Sequence, residues 1–180
     1  MSVNMNMIKV GPAGEQWGTA WEEKGKGEIA KIFVSYSEYD ISSLQFLFGE
    51  NGHFVLSDRH GSARPSIYFT TVALDFPSEF LTSIRGFCLH NNLGDLRSIT
   101  FVTNKRTYGP YGQMATSSSL KEFFFQLGVD RCFGGFHGTE TDNCITSIGV
   151  YVKAITSSMI TPTNSQVRVT RRVAVKSEED

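Results

Sequence analysis

Residues 96–112 read LRSITFVTNKRTYGPYG. Arg97, Ile99 and Phe101 alternate with Leu96, Ser98, Thr100 and Val102, the period of two that a strand with one buried face requires. Ile99 and Phe101 select the core face, so the Ser98 and Thr100 side is expected to be exposed. A weaker strand signal follows near Thr107 and runs into Gly109-Pro110-Tyr111-Gly112. The same Gly-Pro pairing occurs at Gly11-Pro12-Ala13-Gly14, also beside a strand, and hints at internal repetition.

Outward from this segment the same texture continues. Short β-branched and aromatic runs span Met5 to Val10, Ile29 to Ser37, Ser42 to Phe48, His53 to Asp58, Ile67 to Leu74, Phe80 to Leu89, Phe123 to Leu127 and Ile145 to Ala154, with a weaker one near Phe133. No 3.6-residue apolar pattern lasts three turns, so the fold class is all-β, with antiparallel sheets joined by hairpins. Asn51-Gly52 supplies the positive-φ pair of a tight hairpin, which predicts that 42–48 and 53–58 pair. Phe33, Phe46, Phe101, Phe123 and Phe125 are assigned to the core rather than to a stacking platform.

A chain of 180 residues is one domain's worth. The composition turns polar after about residue 154, which predicts a domain over 1–154 and a flexible tail over 155–180. Within that tail VRVTRRVAV (167–175) keeps a period-2 valine face, open to two readings: an edge or partner-binding strand, or a solvated segment. With 17 Lys+Arg against 18 Asp+Glu the net charge is -1, so no global field draws the chain to nucleic acid or an anionic membrane. No secretory leader and no apolar run of about 20 residues is found, and the expected localisation is cytoplasmic. Cys88, Cys132 and Cys144 cannot all pair within one chain, form no CxxC and are read as reduced thiols. No P-loop, HExxH or GxSxG element occurs, so no catalytic residue, metal or cofactor is assigned. His60 and His137 are read as hydrogen-bonded turn residues, outside any metal-spaced or triad-like set.

Six blocks in order carry a resemblance: VGPAG (10–14), Trp21-Glu22, FVLSDRHG (54–61), FPSEFLTSIRG (76–86), the 96–112 segment itself, and FGGFHG (133–138) followed by SIGVYV (147–152). Over roughly residues 7 to 154 the chain resembles the jacalin-related lectins. The resemblance implies a β-prism of three four-stranded Greek-key sheets around a shared core. It also implies a carbohydrate pocket at one end, between a Gly-Gly loop near the N-terminus and a Gly-x-x-x-Asp loop before the last strand. The family's Asp falls on Thr146 and its Gly on Asp142, giving Asp142-Asn143-Cys144-Ile145-Thr146. In the first loop Gly14 remains, but Glu15 and Gln16 replace small residues and Trp17 is expected to cover part of the pocket.

Those replacements set the functional expectation. Millimolar binding of a monosaccharide is worth only about 4 kcal/mol, and a hydrogen bond to a charged group contributes about 1.5–3 kcal/mol. Losing the carboxylate therefore predicts weak or absent simple-sugar binding at Gly14, Asp142, Asn143, Cys144 and Thr146. Asp142, in a loop one residue longer than usual, is the one candidate to replace the missing acceptor. A second pocket after the DRHG block retains only Gly61. The resemblance implies a non-enzymatic carbohydrate-binding-type module. The FVLSDRHG and FGGFHG blocks look closest to the family's single-domain plant defence type, which restricts potyvirus movement and would act through protein partners. The alternative is a mannose-, glucose- or galactose-type lectin for larger glycans. A homo-oligomer is compatible with either; nucleic acid and membrane are not expected partners.

Overall fold

The computed structural model describes residues 6–89, 94–114 and 117–154. In chain order the strands are β1 (Met7–Gly14), β2 (Thr19–Lys24), β3 (Glu28–Tyr36), β4 (Ile41–Glu50), β5 (His53–Leu56), β6 (His60–Gly61), β7 (Tyr68–Ala73), β8 (Leu81–Leu89), β9 (Leu96–Thr103), β10 (Thr107–Gly112), β11 (Leu120–Gln126), β12 (Phe133–Glu140) and β13 (Ile145–Lys153). Their order is β1-β13-β12-β2 in one sheet, β5-β4-β3-β7 in the second and β10-β9-β8-β11 in the third. Every pairing among the described residues is antiparallel.

The three sheets share one winding. Three consecutive strands pair as neighbours, and a fourth returns beside the first, which is a Greek key. β8 to β11 and β3 to β7 follow this path directly. The first sheet follows it when the chain is read as β12, β13, β1, β2, so strands from both ends of the prism chain close one face. The second sheet departs from the four-stranded expectation, because its edge strand is broken into β5 and β6, both of which pair with β4.

Gly-Pro has a matching place in two of the sheets. In β1 the ladder to β13 shifts register between Val10 and Ala13, and in β10 the ladder to β9 shifts between Tyr108 and Tyr111. Gly11 and Gly109 there hold φ of 82° and 101°, which only glycine adopts without strain. Each bulge lies on an edge strand, where a residue without an N–H costs no ladder bond.

The inner faces of the sheets form one apolar core. Ile32, Phe46, Phe48, Ile84, Ile99, Phe101, Phe136 and Ile148 are all fully buried. Phe46 and Phe136 stack across two sheets with centroids 4.4 Å apart. The expected hairpin forms, with Leu47 opposite Leu56 and Glu50 opposite His53, and Asn51 and Gly52 at φ 49° and 80°.

Three expectations need correction. Ser98 and Thr100 are buried rather than exposed, because β9 is a central strand and the longer Phe87 and Arg85 stand directly opposite them on the same face. Phe33 is only partly buried: Ile32 and Val34 take the core face, so Phe33 turns outward against the exposed Phe69. β2 gave no strand signal in the sequence, since the inward face of Thr19–Lys24 holds Trp21 and a glutamate, Glu23, rather than a second apolar residue. The expected 155–180 tail and its valine-rich stretch lie outside the described residues.

Candidate functional site

At one end of the prism the β1–β2 loop (15–18) meets the β12–β13 loop (141–144). Gly14 closes β1 with φ 101°, and a Cβ there would meet the Thr146 carbonyl and Ser147. That missing side chain lets the two loops approach. Thr146 lies at the contact, with no exposed surface. Its hydroxyl donates to the Trp17 carbonyl (2.8 Å) and shares a hydrogen bond with Thr139 Oγ1 (2.7 Å). Thr139 Oγ1 also lies 2.7 Å from Ser147 Oγ and 3.3 Å from the Glu15 carbonyl. Three hydroxyls thus bind the first loop's backbone to the last hairpin, and Thr146 has no group directed at solvent.

The remaining site residues separate. Asp142 and Asn143 are exposed at the tip of the β12–β13 turn. The turn is pinned by the Thr141 hydroxyl, which accepts from the amides of Asn143 (3.2 Å) and Cys144 (3.3 Å), while the Thr141 amide donates to the Cys144 carbonyl (3.0 Å). Cys144 is buried, and burial pushes its thiol up to about 12, aided by the neighbouring Asp95. Cys88 is likewise pushed up to about 12 by burial, and Cys132 is raised, so all three free thiols are poor nucleophiles. Two clefts flank the first loop: one of about 390 Å³ between β1 and β11, and one of about 200 Å³ on the outer face of β2 and β12. Asp142 lines neither.

A buried polar cluster that the sequence reading took for a turn lies directly beneath. The His60 ring stacks on Trp21 at 4.2 Å, its Nε2 lies 2.9 Å from Glu23 Oε1, and its Nδ1 lies 3.4 Å from Glu140 Oε2. The Gly61 amide donates to the same Glu140 oxygen at 2.6 Å. This joins β6 of the second sheet to β2 and β12 of the first. His137 is buried with Nε2 3.0 Å from the Val10 carbonyl. Burial, opposed in part by that contact, keeps its ring below the ordinary histidine range.

Residues 10–151 match the jacalin-like lectin domain. The chain belongs to the jacalin-like lectin family. Among its relatives, "Protein RESTRICTED TEV MOVEMENT 1" of Arabidopsis thaliana is 38% identical over 154 residues, which cover 81% of this chain and 87% of the relative. "Inactive protein RESTRICTED TEV MOVEMENT 1" of the same species gives the same identity and coverage. Among solved structures, frutalin from Artocarpus incisa superposes with a TM-score of 0.72 at 26% identity, over 86% of this chain and 100% of frutalin. Artocarpin complexed with methyl-α-mannose gives 0.71 at 30% identity, over 82% and 98%.

Within this jacalin-like lectin the residues singled out from sequence are therefore only partly together. Gly14 and Thr146 touch, Cys144 is buried in the turn, and Asp142 and Asn143 stand apart at its tip. Sequence reading missed Thr139 and Ser147, whose hydroxyls become meaningful only when β12 and β13 pair with Thr139 opposite Ser147. It also missed Asp95. That carboxylate lies beside the Cys144 thiol, and burial raises it above the ordinary aspartate range, offset in part by Cys144 and Arg97. Its Oδ1 is buried without a hydrogen-bond partner among the described residues.

Proposed function

We propose that this jacalin-like lectin is a non-catalytic recognition module whose end pocket has lost its grip on simple sugars, and that it works in plant defence by restricting virus movement through protein partners. The observation that carries this reading is Thr146, fully buried and donating its hydroxyl to the Trp17 carbonyl. A hydroxyl committed to backbone offers no charged acceptor to a pair of sugar hydroxyls. The 38% identity to a relative named for restricted virus movement supports the rest of the reading.

The test uses the full chain in two arms. Immobilised protein is incubated with plant vascular extract with and without 100 mM mannose and galactose, and a glycan array is probed in parallel. The reading expects specific protein partners that free sugar does not displace, together with reduced systemic virus spread in plants expressing the chain. Sugar-displaceable capture, or undiminished spread, contradicts it. A second reading is a lectin for glycans larger than a monosaccharide, supported by the likeness to artocarpin complexed with methyl-α-mannose.

A further inference from the structure

The outer face of the second sheet carries a groove of about 360 Å³ remote in chemistry from the end loops. Strand alternation sends Phe33 and Ser35 of β3, Ser43 and Gln45 of β4, and Phe69 of β7 outward, opposite the core residues Ile32, Val34, Leu44 and Phe46. Ladder register sets two transverse rows: Phe69, Ser35 and Ser43 in one, Thr71, Phe33 and Gln45 in the next. The rings of Phe33 and Phe69 lie 6.4 Å apart and within 17° of parallel, and Phe69 is 66% exposed. They form an aromatic wall beside a polar floor.

That floor has capacity to spare. The Ser35 hydroxyl makes no hydrogen bond among the described residues, Ser43 beside it is buried, and Gln45 spends only its Nε2, on the Ser57 carbonyl at 2.9 Å. At the rim stand Arg59 and Arg64, both exposed, neither guanidinium having an ion-pair or hydrogen-bond partner among the described residues. Among the described residues Arg97, Arg106 and Arg131 are paired, whereas the exposed Arg85 of β8, like Arg59 and Arg64, is not.

We propose that this groove binds an acidic saccharide, a uronate-bearing oligosaccharide, with its carboxylates on Arg59 and Arg64. The guanidinium fork matches a carboxylate in shape and charge. The apolar C–H face of a pyranose suits the Phe33–Phe69 wall, and ring hydroxyls meet Ser35 and Gln45 Oε1. A peptide fits less well: the backbone groups of β3 and β4 beneath the groove are consumed by their ladders, so a peptide's own N–H and C=O would go unmatched. The assignment shares no residue with the end loops and does not depend on whether they bind sugar.

Titration of the full chain with trigalacturonate tests it, with neutral α-1,4-galactotriose as the uncharged counterpart. The expected dissociation constant is below about 1 mM, rising at least about tenfold in Arg59→Gln/Arg64→Gln and about fivefold in Phe69→Ala, with binding weakened by added salt. All three positions are exposed, so these variants fold. No binding by trigalacturonate up to 10 mM, equal affinity in the arginine variant, or equal affinity for the neutral trisaccharide would each overturn the assignment. Asp142→Ala, at the exposed tip of the β12–β13 turn, is expected to leave the affinity unchanged; loss of binding in that variant would place the ligand at the end loops instead and overturn the assignment.

Discussion

Replacing Glu79 with alanine is expected to destabilise the protein by about 3 kcal/mol at neutral pH, since each hydrogen bond to a charged acceptor is worth about 1.5–3 kcal/mol and the stranded donors cost more. Glu79 lies in the β7–β8 connection with no exposed surface. It accepts from the Asp75 amide (2.9 Å), the Thr103 hydroxyl (2.7 Å) and the Tyr108 hydroxyl (3.0 Å), and Arg106 Nε stands 3.2 Å away. Burial alone would raise its carboxyl, but these partners outweigh burial and hold it below the ordinary glutamate range. Burial, with the same contact, pushes Tyr108 up to about 12.

The sign of the pH dependence follows. A carboxyl whose folded pKa is depressed stabilises the fold above its unfolded value, near pH 4.3, and loses that contribution as pH falls through the folded value. Urea unfolding should therefore show a steeper loss of stability below about pH 4 in the native chain than in Glu79→Ala. Identical acid limbs in the two proteins would remove Glu79 from this role.

A second large effect is expected at His60. Alanine there leaves a void between Trp21 and Phe46 and deprives Glu23, itself buried, of its ring partner. Cavity formation and a stranded buried carboxylate together cost about 3–4 kcal/mol. Because His60 joins β6 to β2 and β12, the loss should also raise amide exchange in both the β1–β2 and β12–β13 segments beyond that in the β8–β11 sheet. Uniform exchange across all three sheets, or a loss under about 1 kcal/mol, would show that the cluster does not bind the sheets together.

The strands were legible wherever one face is purely apolar. Leu44, Phe46 and Phe48 announced β4, and Asn51-Gly52 announced its hairpin. Where the inward face is polar the pattern fails: β2 buries Glu23, and only the fold brings His60 to it from 37 residues away. Alternation also marks which residues share a face without saying what covers the second one. Ser98 and Thr100 were read as wet, yet Phe87 and Arg85 across the ladder cover them. Phe33 was assigned inward on its aromaticity alone, whereas its neighbours Ile32 and Val34 decide the face.

The end site was legible as a substitution and not as a geometry. Thr146 in place of an acidic residue shows that a charge is missing. That its hydroxyl turns inward to the Trp17 carbonyl depends on a loop 129 residues away. Asp142, the sequence-based candidate for a replacement acceptor, stands at an exposed turn tip, while the half-buried Asp95 comes from a different loop whose relation to Cys144 no local spacing reveals.

The most direct measurement is calorimetric titration of the full chain with methyl α-mannoside and with galactose. If Thr146 closes the end loops as described, neither sugar binds with a dissociation constant below about 1 mM, the strength a single monosaccharide reaches with about 4 kcal/mol. Saturable binding in the micromolar range, abolished by changes at Gly14 or Asp142, would mean that the pocket retains an acceptor and that the account is wrong.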